Sequence, residues 1–274
     1  MKRFLLAQVS DVHIKAGGKL SYRVVDTEAL LARCVAHILE LPQVPDAVLF
    51  TGDLTDFGRA DEYANLRRLL VPLPMPFFLM PGNHDDSANL RAAFRDHAYL
   101  GRGLHVDYAV DEFPVRIVAL DSTVPRESGG RLAADQLAWL DDALGSGRET
   151  PTIVALHHPP FATGIGHMDS IGLADPASFE RVIARHPQVE RVVAGHLHRT
   201  ILTRFGGTIA STCPSPAHQV ALDLAEDAAS RFRMEPPGFH LHLWREGAGL
   251  VTHHAAIGHF DGPYPFYDGG ELID

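Results

Sequence analysis

Five short blocks of residues could bind metal ions, because each supplies carboxylate, amide or imidazole ligand atoms and no thiolate. In chain order the blocks are Asp11-Val12-His13, Gly52-Asp53, Gly82-Asn83-His84-Asp85, His157-His158 and Gly195-His196-Leu197-His198. Oxygen and nitrogen donors of this kind suit Mn, Fe, Zn or Co, and affinity alone does not choose among them. Together the blocks contain enough ligands for two ions.

A pair of divalent or trivalent cations about 4 Å apart can hydrolyse a phosphate ester at neutral pH. The ions lower the pKa of a shared water and neutralise charge on the attacked and leaving oxygens. A negative ligand between the cations offsets their repulsion, so one carboxylate should bridge them. We predict that this bridging ligand is Asp53.

The blocks follow apolar runs that are typical of buried strands. These runs cover residues 4–9, 47–51, 77–80, 153–156 and 191–194. In open α/β sheets, sites form at the carboxyl edge of the strands, so the five strand ends are expected to point their ligands toward one edge. Glycines at 52, 82 and 195 allow the backbone to turn sharply just before a ligand.

The ordered set resembles the calcineurin-like metallophosphoesterase superfamily, and within it most closely the bacterial cyclic-nucleotide phosphodiesterases and glycerophosphodiesterases. Longer stretches support the narrower match, namely residues 10–13, 51–56, 81–86, 157–160 and 217–220. The motifs span residues 10–220, most of the chain. The resemblance implies an α/β fold, a four-layer α-β-β-α sandwich of two mixed β sheets flanked by helices.

The resemblance also implies seven metal-binding residues, and no position departs from the family pattern. The first ion would be bound by Asp11, His13, Asp53 and His198. The second ion would be bound by Asp53, Asn83, His157 and His196. His157 is preferred to its neighbour His158 because the family ligand stands at the strand end, although adjacency leaves the reverse open.

In this family the histidine after the metal-binding Asn faces the substrate and donates a hydrogen bond or proton to the leaving oxygen. His84 occupies that position, and Asp56 occupies the position of the carboxylate that orients this histidine in many relatives. Catalytic roles are therefore predicted for His84 and Asp56, and substrate contacts for Asn83 and His84. Tyr22 lies in the loop after His13 and could also reach the substrate; an ordinary surface aromatic is the equal alternative.

Structural roles are predicted for the other polar candidates. Seven of the 17 histidines are interpreted as surface or packing residues: His37, His97, His105, His186, His240, His242 and His253. Asp85 and Asp86 are predicted to cap the helix-like stretch 88–94 rather than bind metal. Asp121 is predicted to stabilise a turn or to support a ligand rather than to bind metal itself.

These expectations combine into a binuclear metal-dependent phosphodiesterase. A metal-bridging hydroxide would attack a small phosphodiester in line, a 3′,5′-cyclic nucleotide or a glycerophosphodiester. A phosphomonoesterase of the same superfamily is the nearest alternative, and it is weakened by Asp85 where protein phosphatases usually carry Glu. A non-catalytic scaffold would be expected to have lost ligands, and a nuclease is disfavoured by the charge of the chain.

Length and charge limit the partners. The 274 residues fit a single catalytic domain, residues 1–274. The formal net charge of −10 does not suit binding to a nucleic acid polymer, which requires neutralisation of phosphates by Lys and Arg. Two cysteines are too few for a disulfide framework, and no stretch approaches the about 20 apolar residues of a membrane span. We therefore expect a cytoplasmic protein that does not bind membranes.

Apolar periodicity predicts helices over 27–41, 60–70, 133–144 and from 176 to about 185. A hairpin is predicted from 104–110 and 115–120, and late strands near 201–205, 208–211, 240–244 and 250–254.

Three stretches lie outside the minimal site. The Gly-rich loop 161–175 follows His157 and is expected to shape specificity. Residues 223–239 resemble the cap or oligomerisation insertion of the glycerophosphodiesterase-like relatives; an exposed connection is the alternative. The aromatic tail 259–274 is expected to pack on the body or on another subunit. We therefore predict a homo-oligomer, a dimer or larger.

Overall fold

Strands and helices alternate through most of the chain in the computed structural model, which describes residues 2–273. The strands are β1 (Arg3–Val9), β2 (Ala47–Thr51), β3 (Phe77–Met80), β4 (Tyr108–Val110), β5 (Arg116–Leu120), β6 (Gly130–Arg131), β7 (Thr152–Leu156), β8 (Leu173–Ala174), β9 (Val189–Ala194), β10 (Ile201–Phe205), β11 (Thr208–Thr212), β12 (Gln219–Val220), β13 (Phe232–Arg233), β14 (Gly238–Arg245), β15 (Gly249–Ala256), β16 (Tyr267–Asp268) and β17 (Glu271–Leu272). The helices are α1 (Thr27–Glu40), α2 (Ala60–Leu70), α3 (Ser87–Ala93), α4 (Ala134–Gly145), α5 (Gly166–Asp169) and α6 (Pro176–Ile183), with one 3₁₀ turn at Ala98–Leu100.

Two mixed sheets form the centre of the fold. The first has five strands in the order β15-β14-β1-β2-β3, and the second has six in the order β10-β11-β9-β7-β5-β4. Strands β1, β2 and β3 are parallel, and so are β5, β7, β9 and β11. The first sheet ends at one edge in the antiparallel hairpin β14–β15, and the second sheet has an antiparallel strand at each edge, β10 and β4.

The helices cover the outer faces of the two sheets. A connection between two parallel strands of one sheet is right-handed. When successive connections move across the sheet in the same direction, their helices therefore lie on the same face. This rule puts α1 and α2 on one side of the first sheet and α4 and α6 on one side of the second, and α4 and α6 contact each other. The predicted four-layer α/β sandwich of two mixed sheets flanked by helices is confirmed.

The inner faces of the sheets pack together. Most inward side chains are Val, Leu, Ile and Phe in one continuous buried cluster. Near the site the cluster gives way to polar contacts: Gln8 Nε2 in β1 donates to the Ala194 carbonyl at the end of β9, 3.0 Å away. This bond ties the two central strands together where their carboxyl ends meet.

Helix starts follow their sequence signals. The Asp26 carboxylate accepts from the Ala29 amide and caps α1, and Asp175 caps α6 with Pro176 at its first position. Asp86 caps α3 by accepting from the Asn89 amide at 2.8 Å. The same prediction is wrong for Asp85, whose carboxylate lies in the site described below. In the predicted hairpin, the first strand is shorter than expected and covers only Tyr108–Val110.

The last residues of the chain do not pack on the body of the molecule. Phe260, Tyr264 and Phe266 are 62%, 74% and 79% exposed. Among residues 2–273, no helix has the length and apolar character needed to cross a membrane.

Candidate metal centre

All seven predicted metal-binding residues lie at the carboxyl ends of five central strands. Asp11 and His13 follow β1, Asp53 follows β2 and Asn83 follows β3. His157 follows β7, and His196 and His198 follow β9. Six of the seven are buried and Asn83 is partly buried. The two sheets therefore bring residues nearly 190 positions apart in sequence to one place.

The backbone at these residues is strained in a way that the sequence does not reveal. A positive φ is rare for residues other than glycine because Cβ then crowds the carbonyl oxygen. Five of the seven predicted ligands nevertheless have one: Asp11 (57°), His13 (45°), Asp53 (48°), His196 (69°) and His198 (52°). Strain of this kind clusters at functional sites, where the surrounding fold enforces it to aim side chains.

The Asp53 carboxylate lies between two histidine clusters. Its Oδ2 is 3.5 Å from His13 Nε2, and its Oδ1 is 3.4 Å from His157 Nε2. On the first side, His13 Nε2 is 3.3 Å from His198 Nε2, which in turn is 3.5 Å from Asp11 Oδ1. On the second side, the amide oxygen of Asn83 is 3.2 Å from His157 Nε2. One carboxylate thus faces both groups.

Hydrogen bonds at the far side of each ring fix which nitrogen faces the centre. His157 Nδ1 donates to the Thr51 carbonyl at 2.8 Å, and His198 Nδ1 donates to the His218 carbonyl at 2.9 Å. In the neutral rings, these bonds leave the Nε2 lone pairs pointing inward. Two imidazole lone pairs and the carboxylates of Asp11 and Asp53 would then converge in a buried space, which is an arrangement suited to a cation.

The clustering of these ligand atoms and the unpaired nitrogen of His196 both fit a metal centre. One ligand atom from each of Asp11, His13, Asp53 and His198 lies within 4.8 Å of the others. His196 Nε2 is buried and has no hydrogen-bond partner in the part of the chain that the structure describes. Buried polar atoms normally have partners, so a lone nitrogen beside His157 is readily explained as a ligand.

His158 is not free to bind an ion. Its Nδ1 is 2.8 Å from the Ser122 hydroxyl and its Nε2 is 3.1 Å from the Ser128 carbonyl. Burial and the neighbouring His157 lower the pKa of His158 to about 3, so its ring is neutral at physiological pH. Both nitrogens are therefore engaged, and the contacts favour His157 as the ligand.

Asp56 does contact His84, but the prediction that it does so through its carboxylate is wrong. His84 Nδ1 is 2.9 Å from the backbone carbonyl of Asp56, not from its side chain. The carboxylate contacts His13 Nδ1 at 3.3 Å and Lys15 Nζ at 2.8 Å. Burial opposes its ionisation, but these two partners lower the pKa of Asp56 below its usual value. Asp56 therefore orients His13 through its side chain and His84 through its backbone.

Asp85 organises the loops around the centre instead of capping a helix. Its carboxylate accepts hydrogen bonds from the backbone amides of Leu54, Thr55 and Gly82. The Tyr63 hydroxyl from α2 donates to it at 2.8 Å. These bonds join the loop after β2 to the loop after β3, which fixes Asp53 relative to His84. Asp121 behaves as predicted and stabilises its own turn by accepting from Thr123.

A cleft of about 400 Å³ opens onto the centre and is lined by His13, Asp53, Asn83, His84, His196 and His198. Tyr22 forms part of its wall and is half exposed, with a positive φ of 47°. His218 also lines the cleft and was missed as a site residue, although the motif Ala217–Val220 contributed to the resemblance. Its ring centroid is 4.5 Å from that of His198 and 5.2 Å from that of Tyr22. Only the folded chain brings His218 to the ligands.

Gly82 has no room for a side chain. A Cβ there would overlap the backbone nitrogen and Oδ1 of Asp53 and would lie 2.8 Å from His157 Cε1. We expect Gly82→Ala to lose most bound metal and to reduce kcat/KM about 100-fold or more, because a displacement of about 1 Å at a site has effects of this size. Metal analysis and steady-state kinetics would test this. Gly145→Ala is the matched control, since a Cβ there meets nothing within 4 Å; equal metal content in both variants would contradict the expectation.

Metal binding should release protons. Burial disfavours a charged His157, but the Asp53 carboxylate outweighs it and raises the pKa of His157 to about 9 in the metal-free protein. A ligand histidine must be neutral, so binding at pH 7 should release about one proton from this ring, and affinity should weaken as pH falls below about 9. Burial raises the pKa of Asp11 to about 6, which adds to the release below that pH. Calorimetric titration with Mn²⁺ in two buffers of different ionisation enthalpy measures the number; zero protons at pH 7 would refute it.

A family model for the calcineurin-like phosphoesterases matches residues 4–200. The chain belongs to this family. It is 42% identical over 98% of its length to a probable glycerophosphodiester phosphodiesterase of Arcobacter nitrofigilis, all of which is covered. It is 33% identical to a cAMP/cGMP dual specificity phosphodiesterase of Mycobacterium tuberculosis, over 81% of this chain and 70% of that protein. Both relatives are named as phosphodiesterases, so within this family the chain is a phosphoric diester hydrolase.

Solved structures support the fold. A dimetal phosphatase from Danio rerio superposes with a TM-score of 0.64 at 17% identity, covering 94% of this chain and 100% of that one. A purple acid phosphatase from yellow lupin gives a TM-score of 0.68 at 14% identity, covering 99% of this calcineurin-like phosphoesterase and 53% of the lupin chain.

Proposed function

We propose that this chain is a binuclear metal-dependent phosphodiesterase that hydrolyses small phosphodiesters, either glycerophosphodiesters or 3′,5′-cyclic nucleotides. The observation that carries the proposal is the position of Asp53, with one carboxylate oxygen toward His13 and the other toward His157. A carboxylate placed between two imidazole groups could hold two neighbouring cations and would offset their repulsion.

The ligands divide into two sets around Asp53. The first ion would be held by Asp11, His13, Asp53 and His198, whose ligand atoms lie within 4.8 Å of one another. The second would be held by Asp53, Asn83, His157 and His196. This donor set suits Mn, Fe, Zn or Co. When bound, two such ions lower the pKa of a coordinated water and neutralise charge on phosphoryl oxygens.

The residues of the cleft wall do the remaining work. His84 is the general acid: its Nδ1 is held by the Asp56 carbonyl, which leaves Nε2 for the oxygen of the departing alcohol. Asn83 and His84 would contact the phosphoryl group, and Tyr22 and His218, which also line the cleft, would contact the rest of the substrate. Asp56 is the positioning residue, since it restrains both His13 and His84.

The names of the relatives support the proposed substrate class. The Arcobacter protein is named for glycerophosphodiesters and the mycobacterial protein for cAMP and cGMP. The net charge of −10 supports small substrates over nucleic acid polymers, because a positive potential is confined to the ions.

Turnover of bis(p-nitrophenyl) phosphate and of p-nitrophenyl phosphate, with Mn²⁺ and after chelation, tests the reaction. We expect metal-dependent hydrolysis with a higher kcat/KM for the diester. A preference for the monoester would identify a phosphomonoesterase, and no turnover would identify a scaffold. A panel of cyclic AMP, cyclic GMP, 2′,3′-cyclic nucleotides and glycerophosphodiesters then separates the substrate classes.

The segment 223–239 is proposed as a cap or oligomerisation insertion of the catalytic domain that spans residues 1–274. Its β13 pairs with β12, and Phe232 in β13 lines the cleft. Leu224 and Met234 are 64% and 57% exposed, and the aromatic residues of the tail are exposed as well. Apolar side chains exposed in this number support contact with a second copy of the chain. The cytoplasmic location and the lack of membrane binding stay predictions from the sequence.

A further inference from the structure

The short helix α5 is held rigidly in the loop that follows His157. The Asp169 carboxylate accepts from the amide and hydroxyl of Thr163 at 2.8 Å and 2.7 Å, and from the Gly164 amide at 2.9 Å. The Ser170 hydroxyl donates to the His167 carbonyl at 2.8 Å. These bonds close the turn on itself, so the side chains that it carries have defined positions.

The same turn is packed directly onto the metal centre. Ile165 and Met168, which flank His167, are buried in a small apolar cluster with Leu197 and Val220. Leu197 stands between the proposed ligands His196 and His198. This packing fixes the position of α5 side chains relative to these ligands, which a precise binding site requires.

His167 lies in the wall of the cleft and has no polar partner. Both of its ring nitrogens are shielded from solvent, and neither forms a hydrogen bond within residues 2–273. An imidazole always offers at least one N–H donor, and leaving such a group unpaired is unfavourable. Nothing in the proposed metal centre uses this ring. The residue as a whole is only partly buried in the cleft wall, so a rotation of the ring would turn a nitrogen toward a ligand in the cleft.

The surroundings of His167 indicate the chemistry of that ligand. Met168 and Ile171 make the adjacent wall apolar, while Ser128, Ser230 and Arg231 also line the cleft. The imidazole, the serine hydroxyls and the Arg231 guanidinium can all hydrogen-bond hydroxyl oxygens. Because the proposed ions and Asn83 account for the phosphoryl oxygens, this wall remains for the alcohol portion of the ester.

We infer that His167 is a specificity-determining residue that hydrogen-bonds a hydroxyl group on the alcohol portion of the phosphodiester. The inference rests on the proposed phosphodiesterase function and assigns part of the substrate to a residue outside the metal centre. A site that pairs a substrate hydroxyl discriminates strongly against an analogue without it, because its own polar group is then left unpaired.

Binding of two product-like phosphates tests the inference without relying on turnover. With the Mn²⁺-loaded full chain, sn-glycerol 3-phosphate should bind about 10- to 100-fold more tightly than propyl phosphate, which has no hydroxyl. His167→Leu should remove most of this preference and change the Kd of propyl phosphate by less than about threefold. His167→Gln keeps a donor and an acceptor and should recover a large part of it. His253→Leu, at an exposed position in β15, is the matched control.

The same comparison can be made in kcat/KM with glyceryl and propyl p-nitrophenyl phosphates, which share a leaving group. Absence of a wild-type preference, equal losses for both ligands in His167→Leu, or loss of metal in that variant would each overturn the inference. If the wild type hydrolysed no diester, the proposed function would fail; the Kd values would still decide the role of His167. If neither phosphate bound to the wild type, the inference would fail as well.

Discussion

Asp53→Ala is expected to lose both metal ions and to reduce kcat/KM for a phosphodiester by about 10⁴-fold or more. The carboxylate faces His13 on one side and His157 on the other, so its removal opens both ligand sets at once. It also accepts a hydrogen bond from the His84 amide at 3.0 Å, which holds the general acid near the centre. This one side chain therefore touches all three groups.

Metal content by mass spectrometry and steady-state kinetics on the same preparations would show this result. Asp61→Ala is the matched control, since Asp61 is exposed in the first turn of α2. Circular dichroism would separate loss of metal from loss of fold. A variant at position 53 that kept two ions and full activity would refute the bridging role of Asp53.

His84→Ala is expected to keep both metal ions and to lose about 10²- to 10⁴-fold in kcat for substrates with poor leaving groups. The ring is held at Nδ1 by the Asp56 carbonyl and makes an edge contact with His13, its centroid 4.7 Å away. A general acid matters most when the departing alkoxide is a strong base, so p-nitrophenyl esters should be affected much less.

The diagnostic measurement is the dependence of kcat on leaving-group pKa, which should be steeper in His84→Ala than in the wild type. Metal content should be unchanged in the variant. An equal loss for good and poor leaving groups would rule out proton donation and leave His84 with a binding role.

The sequence by itself determined where the central strands lie along the chain and that the proposed ligands follow their carboxyl ends. Each ligand block follows an apolar run, and Gly52, Gly82 and Gly195 mark the turns, so local pattern was enough to place ligands at strand ends. Helix starts were equally local, since Asp26 and Asp175 cap the helix that follows them within three residues. Such features depend on neighbours in the chain.

Tertiary structure decided which atoms meet. The partners of His158 come from Ser122 and Ser128, about 30 residues earlier in the chain, and the carbonyl that orients His198 belongs to His218. Motif order placed Asp56 beside His84, but the turn of the loop directs its carboxylate to His13 and Lys15. The capping prediction for Asp85 failed because its carboxylate accepts hydrogen bonds from amides of two different loops, at Leu54 and Gly82, and not from the first turn of a helix.

Only the tertiary structure reveals the unpaired nitrogens of His167 and the strained backbone at Asp11, His13 and Asp53. Hydrophobic periodicity fixes which residues are buried in a strand or helix. It carries no information on side-chain direction within a loop, which is set by contacts between segments that are distant in sequence.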